Sequence, residues 1–161
     1  MTTAMPISIL GFRTFAANQT EGPTNRPPNP EGDVIKRIRL QRPRILIVDD
    51  GAIFRESLIF KLQDLYGATV EGAETGEDAL ELASDLNTFD LILMDIAMPG
   101  MDGFETYEAI RGCGVDTRIV LMSAQNEYRD RAQTLGIDFL KKPWSDGDFE
   151  RILLECGGEG V

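Results

Sequence analysis

Short apolar runs alternate with segments of helical periodicity between residues 43 and 156. Four of the five runs are apolar at most positions, which is typical of strands buried on both faces of a parallel sheet, and the run at residues 68–72 also contains Thr69 and Glu71. The five runs predict strands at residues 44–48, 68–72, 90–94, 118–122 and 137–140. A stretch with the features of a helix follows each run, so strands and helices alternate through this part of the chain.

The segments between the runs carry the periodicity and the end signals of helices. Phe54, Leu58 and Leu62 recur at helical spacing, and Gly67 follows them as a stop signal. Side chains that can cap a helix N-terminus stand before three later segments, namely Thr75, Asn126 and Ser145. Helices are predicted at residues 53–66, 76–84, 102–111, 126–135 and 146–155. The sequence therefore predicts an α/β fold, a doubly wound five-stranded parallel sheet with five helices in three α/β/α layers.

Residues 1–42 differ in composition from the rest of the chain. They contain five of the eight prolines, and six basic against three acidic side chains. Because proline at this density interrupts helices and strands, we predict a disordered or extended tail or linker. Residues 33–40 leave three interpretations: a helical turn packed on the domain, a peptide for a partner, or the solvated approach to the first strand, which we favour. The domain is expected at residues 43–156, with a flexible end at residues 157–161.

Composition excludes several classes of function. The chain has no histidine, so it cannot carry Ser-His-Asp or Cys-His catalysis, a histidine zinc site or a phosphohistidine. Its formal net charge of −11 argues against direct binding of nucleic acid. It has no apolar run of membrane-spanning length and only a poor secretory signal. We therefore expect a cytoplasmic protein without a membrane partner.

Polar side chains follow four of the predicted strands. Asp49 and Asp50 follow the first strand, Asp95 the third, Ser123 the fourth, and Lys141 and Lys142 the fifth. The carboxyl ends of parallel strands share one edge of a sheet, so these side chains should meet in one crevice. Converging carboxylates repel each other, and a hard cation with oxygen ligands relieves that repulsion. Mg²⁺ is the expected cofactor, with Mn²⁺ as an alternative.

This combination of groups points to phosphoryl transfer. A carboxylate beside Mg²⁺ and a lysine can attack phosphorus and form an aspartyl phosphate. The cation, Lys142, the Ser123 hydroxyl and backbone N–H groups would then bind the phosphoryl oxygens. An aspartate at a strand end also commonly caps the next helix, but that role would explain only one of the three carboxylates.

Four segments together resemble the receiver domain of two-component response regulators, in its stand-alone, single-domain form. They are residues 45–50, 90–103, 120–124 and 138–143, and the resemblance covers residues 43–156. It implies a flavodoxin-like sheet, with Asp95 as the phosphoacceptor. It further implies that Mg²⁺ is held by Asp49, Asp50, Asp95 and the backbone carbonyl of Ala97.

The same resemblance assigns roles to the remaining residues. Lys142 matches the signature lysine, and the Lys142–Pro143 peptide bond is expected to be cis. Ser123 would be the switch hydroxyl and Phe139 the switch aromatic, with an ordinary core role for Phe139 as the alternative. Ala97 and Gln125 would flank the path of the hydrolytic water and tune dephosphorylation. Trp144 is expected to cover the start of the last helix, with a place on the output face as the alternative.

By this resemblance, the protein accepts a phosphoryl group from a sensor histidine kinase or a histidine phosphotransfer protein. It would catalyse its own phosphorylation and dephosphorylation and act on no other substrate. A downstream protein would bind the face formed by the fourth helix, the fifth strand and the fifth helix of the predicted domain. A homodimer formed on phosphorylation is a further alternative. No output domain is expected after residue 156.

Two other functions stay open as alternatives. One is a receiver-fold interaction module that works without phosphorylation, although such a module usually lacks an acidic residue or the lysine. The other is a phosphatase of the haloacid dehalogenase type, whose nucleophilic aspartate also follows a strand. That chemistry needs a second aspartate two residues later, whereas Gly51 follows Asp49 and Ala52 follows Asp50 at that spacing.

Overall fold

One parallel sheet organises the computed structural model, which describes residues 30–82 and 85–156. The strands are β1 (Arg44–Val48), β2 (Thr69–Ala73), β3 (Leu91–Asp95), β4 (Ile119–Ser123) and β5 (Asp138–Lys141). Their order across the sheet is β2-β1-β3-β4-β5, and every neighbouring pair is parallel. This is the flavodoxin-like, doubly wound order.

Six α helices accompany the sheet in the described residues. They are α1 (Pro30–Gln41), α2 (Ala52–Tyr66), α3 (Gly76–Glu81), α4 (Gly103–Gly112), α5 (Glu127–Thr134) and α6 (Asp146–Leu154). A 3-10 turn at Leu86–Thr88 precedes β3. Among these residues, no helix has the length and apolar character needed to cross a membrane.

Each central strand buries both of its faces. In β1, Ile45 and Ile47 pack with residues of α1, α2 and α6, whereas Leu46 and Val48 pack with residues of α3, α4 and α5. All four side chains have no exposed surface. Because successive strand residues point to opposite faces, a strand between two helix layers is apolar at every position. The three predicted layers are therefore present.

Four strands begin and end one residue later than their apolar runs predict. Asp95 is opposite Met122 in the β3–β4 ladder, and Ser123 is opposite Lys141 in the β4–β5 ladder. The ladders therefore extend one residue past the apolar runs, into polar residues that hydrophobicity alone does not assign to a strand. Of these polar residues, Asp95 and Ser123 belong to the predicted site.

Most of the predicted helix caps are present. Thr75 accepts the backbone N–H of Asp78, and Ser145 accepts that of Asp148. Gly67 ends α2 with a positive φ of 64°, a conformation that favours glycine. Asn126 precedes α5, but its side chain makes no capping bond because its own backbone is already helical.

The predicted tail requires a correction, because Pro30–Gln41 forms α1. Ile38 is completely buried, and the Arg39 side chain donates to the carbonyls of Asp64 and Leu65 near the end of α2. The helix packs on both α2 and α6. An extended tail and a solvated approach are therefore wrong for this segment, and the helix makes six where five were predicted. Residues 1–29 and 157–161 lie outside the described residues, so the predictions for them stay predictions.

Candidate functional site

The sheet topology brings the predicted polar residues to one edge. Asp95 and Ser123 are the last residues of β3 and β4, while Asp49 and Lys142 directly follow β1 and β5. Since β1, β3, β4 and β5 are consecutive neighbours in the sheet, these residues lie side by side at its carboxyl edge. This juxtaposition comes from the strand order, because the residues are far apart in sequence.

Lys142 joins the two buried carboxylates. Its ammonium donates to Oδ2 of Asp49 at 2.9 Å and to Oδ1 of Asp95 at 2.7 Å. Asp49 is 3% exposed and Asp95 is 8% exposed. The backbone N–H of Lys142 donates to the carbonyl of Ser123 at 2.8 Å, and the Lys142–Pro143 bond is cis, the isomer expected from the sequence. One positive charge therefore sits between two negative charges, largely away from solvent.

For both Asp95 and Lys142, burial and the ion pair between them shift the pKa in opposite directions. Burial raises the pKa of Asp95, the hydrogen bond from Lys142 opposes that rise, and the charges of Asp49 and Asp50 add to it. Burial alone would lower the pKa of Lys142, but its bonds to Asp49 and Asp95 outweigh burial and leave it raised. Lys142 is therefore held as an ammonium, whereas burial destabilises the charged form of Asp95 more than the contact with Lys142 stabilises it.

Backbone contacts fix the position of Asp49. Its Oδ1 accepts the N–H of Gly51 at 2.9 Å, its own N–H donates to the carbonyl of Ala73 at 3.1 Å, and its carbonyl accepts the Arg55 guanidinium. Asp50 is exposed at the rim of the crevice. Only one member of the acidic pair therefore lies in the buried network with Lys142.

Gly103 allows α4 to start against the end of β3. Its N–H donates to the carbonyl of Ile96 at 3.0 Å. A Cβ at this position would lie 2.5 Å from the carbonyl oxygen of Asp95 and 2.8 Å from the Cα of Ile96. Any side chain here would displace the backbone that carries the proposed phosphoacceptor. Sequence reasoning missed this role, although a glycine directly after the capping residue Asp102 was a usable signal.

The proposed switch and tuning residues surround the charged network. Ser123 is 3% exposed, and its hydroxyl accepts the N–H of Gln125 at 3.2 Å. Gln125 and Ala97 are both exposed at the rim. Phe139 is half-buried against the layer of α3, α4 and α5, opposite Leu121 in the ladder, with the Arg129 guanidinium 5.7 Å from its ring centre.

Phe54 borders the ammonium of Lys142, and Trp144 packs against Phe54. The Phe54 ring centre lies 4.1 Å from Nζ, and Phe54 in turn meets Trp144 edge to face. Trp144 stacks on Phe149 near the start of α6, which confirms the expectation that it covers this helix. Sequence reasoning treated Phe54 only as a core position of its helix, because periodicity does not reveal contacts between distant elements.

The acidic groups match magnesium in their donor chemistry. Asp49, Asp50 and Asp95 offer carboxylate oxygens and Ala97 a carbonyl oxygen, the ligand type that Mg²⁺ prefers. Within residues 30–82 and 85–156, no three Asp, Glu or Cys side chains already form a metal cage. Mg²⁺ needs only one or two carboxylates because it retains several waters, so these residues are compatible with it.

The family model of the response regulator receiver domain matches residues 45–153. The chain belongs to this family. Response regulator MprA of Mycobacterium sp. (strain KMS) is 36% identical over 105 residues, which are 63% of this chain and 45% of that protein. The Regulator of RpoS of Escherichia coli (strain K12) is 42% identical over 106 residues, which are 64% of this chain and 31% of that protein. The chain thus spans less than half the length of these relatives.

Solved receiver structures have the same fold. The receiver domain of the histidine kinase CKI1 from Arabidopsis thaliana, complexed with Mg²⁺ and BeF₃⁻, is 30% identical with a TM-score of 0.62, covering 76% of this chain and 96% of that chain. The chemotaxis response regulator CheY4 of Vibrio cholerae is 30% identical with a TM-score of 0.60, covering 71% of this chain and 98% of that chain. This receiver domain therefore belongs to two-component signalling.

Proposed function

We propose that this receiver domain accepts a phosphoryl group on Asp95 and uses the modification to change which protein it binds. The observation that carries the proposal is the Lys142 ammonium, shared by Asp49 and Asp95 at the carboxyl edge of the sheet. It neutralises charge next to an otherwise repulsive pair of carboxylates. The membership in the receiver family supports the same reaction class.

The reaction is a displacement at phosphorus. A carboxylate oxygen of Asp95 attacks the phosphoryl group of a phosphohistidine on a partner protein, and a P–O bond forms as the P–N bond breaks. The electron pair of the broken bond leaves with the partner's imidazole. Lys142 balances one phosphoryl oxygen, the Ser123 hydroxyl donates to another, and the incompletely compensated charge of Asp95 favours the attack. Water later attacks the phosphorus, the P–O bond to Asp95 breaks, and inorganic phosphate leaves as the carboxylate is restored.

Magnesium is the proposed cofactor, with Mn²⁺ as an alternative. Asp49, Asp50, Asp95 and the carbonyl of Ala97 would hold it. When bound, it neutralises phosphoryl oxygens and so reduces the repulsion between the donor and the acidic crevice. The Lys142 ammonium then has a phosphoryl oxygen as its partner in place of the carboxylates.

The output is a change of surface. Phosphorylation adds nearly two negative charges at Asp95, which attract the Ser123 hydroxyl. Movement of Ser123 makes room for Phe139, and the surface of α5, β5 and α6 changes for a downstream protein. Ala97 and Gln125, both at the exposed rim, would set the access of water to the acyl phosphate. A homodimer across that surface is an alternative output.

The two other functions are less well supported. A phosphorylation-independent module would not require a buried carboxylate pair bridged by a lysine. A haloacid dehalogenase mechanism would place its nucleophile after β1, where Asp49 is tied to Gly51 and Lys142.

Acetyl phosphate and Mg²⁺ provide the decisive test. The wild-type protein should gain one base-labile phosphate, measured by mass spectrometry, and Asp95→Asn should gain none. Asp85→Asn, a change at an exposed carboxylate outside the crevice, is the matched control and should behave like the wild type. Equal labelling of wild type and Asp95→Asn would contradict the proposal, and so would labelling that does not need a divalent cation.

A further inference from the structure

The Lys142 ammonium has a third contact besides its two carboxylates. Its Nζ lies 4.1 Å from the centre of the Phe54 ring, within the distance at which an aromatic face attracts a cation. Phe54 is in the first turn of α2, directly after the loop that carries Asp49 and Asp50. The ring therefore comes from a different element than either of the carboxylates bonded to Lys142.

A series of rings supports Phe54 from behind. Phe54 meets Trp144 edge to face, with 5.8 Å between the ring centroids, and Trp144 stacks on Phe149 with 5.6 Å between the centroids. Phe149 is completely buried and meets Tyr66 at 6.2 Å. Since each ring restricts the next, the face that Phe54 presents to Lys142 is fixed by packing between α2 and α6.

The contribution of the Phe54 ring to the position of the Lys142 ammonium depends on whether Asp95 is phosphorylated. Without a phosphoryl group, the two carboxylates orient the ammonium, so the ring is redundant. Once Asp95 carries a phosphoryl group, and with Asp49 as a ligand of the proposed cation, neither carboxylate would be free to orient the Lys142 ammonium. The ammonium then keeps one phosphoryl oxygen and the Phe54 ring as its neighbours.

We propose that Phe54 is a positioning residue, which holds the Lys142 ammonium over the phosphoryl oxygen after the carboxylates have been withdrawn. This inference rests on the proposed function. Because the ring is redundant in the free state, its loss should weaken the phosphorylated state more than the unphosphorylated one. The expected change is a loss of affinity for a phosphoryl mimic, with little change in affinity for the cation.

Beryllofluoride binding in the presence of Mg²⁺, measured by isothermal titration calorimetry on the full chain, tests the inference. The Phe54 side chain is replaced by mono-, di- and trifluorinated phenylalanine, which progressively removes the negative ring face at nearly constant shape. Affinity should fall stepwise, by about three- to thirtyfold over the series. Phe54→Tyr should retain wild-type affinity, and Phe54→Leu should match the trifluorinated ring. The same series at Phe60, which is 69% exposed on the same helix, is the control and should be flat.

Titration with Mg²⁺ alone separates positioning from packing. The Mg²⁺ affinity should be constant across the series. A flat beryllofluoride series at position 54, or a parallel loss of Mg²⁺ affinity, overturns the role of Phe54 while the proposed function stands. If the wild-type protein binds beryllofluoride no better than Asp95→Asn, the proposed function fails and the inference fails with it.

Discussion

Asp95, the proposed phosphoacceptor, is held in an unfavourable state. Its carboxylate is 8% exposed and shares one ammonium with Asp49. Burial is the largest influence on its pKa, and it outweighs the bond from Lys142, so that the pKa lies above its usual range. A raised carboxyl pKa means that the folded protein destabilises the ionised form, and folding is weaker at neutral pH because of it.

Asp95→Asn should therefore stabilise the protein at pH 7.5, by about 1 kcal/mol, as is common when a strained functional group is removed. As the pH falls through the raised pKa, Asp95 takes up a proton in the folded wild type, and the cost of its buried charge disappears. The difference in the free energy of unfolding between Asp95→Asn and wild type should therefore shrink. Urea denaturation at pH 7.5 and pH 5 measures both effects. Asp130→Asn, at an exposed carboxylate on α5, is the control and should change little at either pH. A gain for Asp95→Asn that grows at the lower pH would contradict the explanation.

The environment of Gly103 leaves no room for a side chain. Gly103→Ala should destabilise the protein by about 1–3 kcal/mol, because the new methyl group would overlap the backbone of Asp95 and Ile96. Gly112→Ala in the same helix is the matched control, since no atom lies within 4 Å of its added Cβ. That change should be neutral or stabilise by less than about 1 kcal/mol. Chemical denaturation compares the two, and equal effects would show that α4 does not dock this closely.

At the scale of the element, α1 is a helix that amino-acid composition alone did not predict. The prolines of residues 1–42 suggested an extended tail, yet Pro30 occupies the first position of a helix, where its missing N–H costs nothing. Ile38 is buried only because α2 and α6 are present to cover it. The sequence contained the helical spacing, but the surface that receives the helix is a product of the tertiary fold.

Ile38→Ala should lower the free energy of unfolding by about 2–4 kcal/mol, the usual cost of removing a buried aliphatic side chain. Leu40→Ala changes the same helix at a side chain that is 75% exposed, and it should shift stability by less than about 0.5 kcal/mol. Thermal or urea unfolding of the full chain measures both. If the two variants are equally stable, α1 does not pack on the domain in solution.

At the scale of the whole molecule, the strand order made most of the site predictable. The positions of Asp49, Asp95 and Ser123 follow from local apolar runs plus the rule that parallel strands end at one edge, whereas the choice of Lys142 over Lys141 came from the resemblance to the receiver family. The bonds of Lys142 to both buried carboxylates, and its contact with Phe54, could not be predicted because they depend on side-chain positions in three dimensions. The same limit applies to the exposure of Asp50.

The surface beside the site makes a prediction about the partner. Ile53 is 84% exposed in the first turn of α2, at the carboxyl edge of the sheet. A large apolar side chain next to the crevice suits contact with a protein that would donate the phosphoryl group in the proposed reaction. Ile53→Ser should slow transfer from a phosphorylated kinase by about tenfold, a typical cost for a central interface side chain, and leave labelling by acetyl phosphate unchanged.

Leu135→Ser provides the control for that measurement. Leu135 is also exposed, at 49%, but it follows the end of α5 at the opposite edge of the sheet. It should alter neither reaction. Equal slowing with both donors would show that Ile53 affects the chemistry of the crevice and not the approach of the partner.

The packing of α1 on α6 also determines the order in which the domain can be completed during synthesis. Of the described elements, α1 leaves the ribosome first and α6 leaves it last. The bonds of Arg39 to the end of α2 can form early, but Ile38 lacks part of its cover until α6 has emerged. Closing such a long loop costs entropy, which is recovered only when both helices are in place. The cover of Ile38 is therefore incomplete until the whole sheet and α6 have been synthesised.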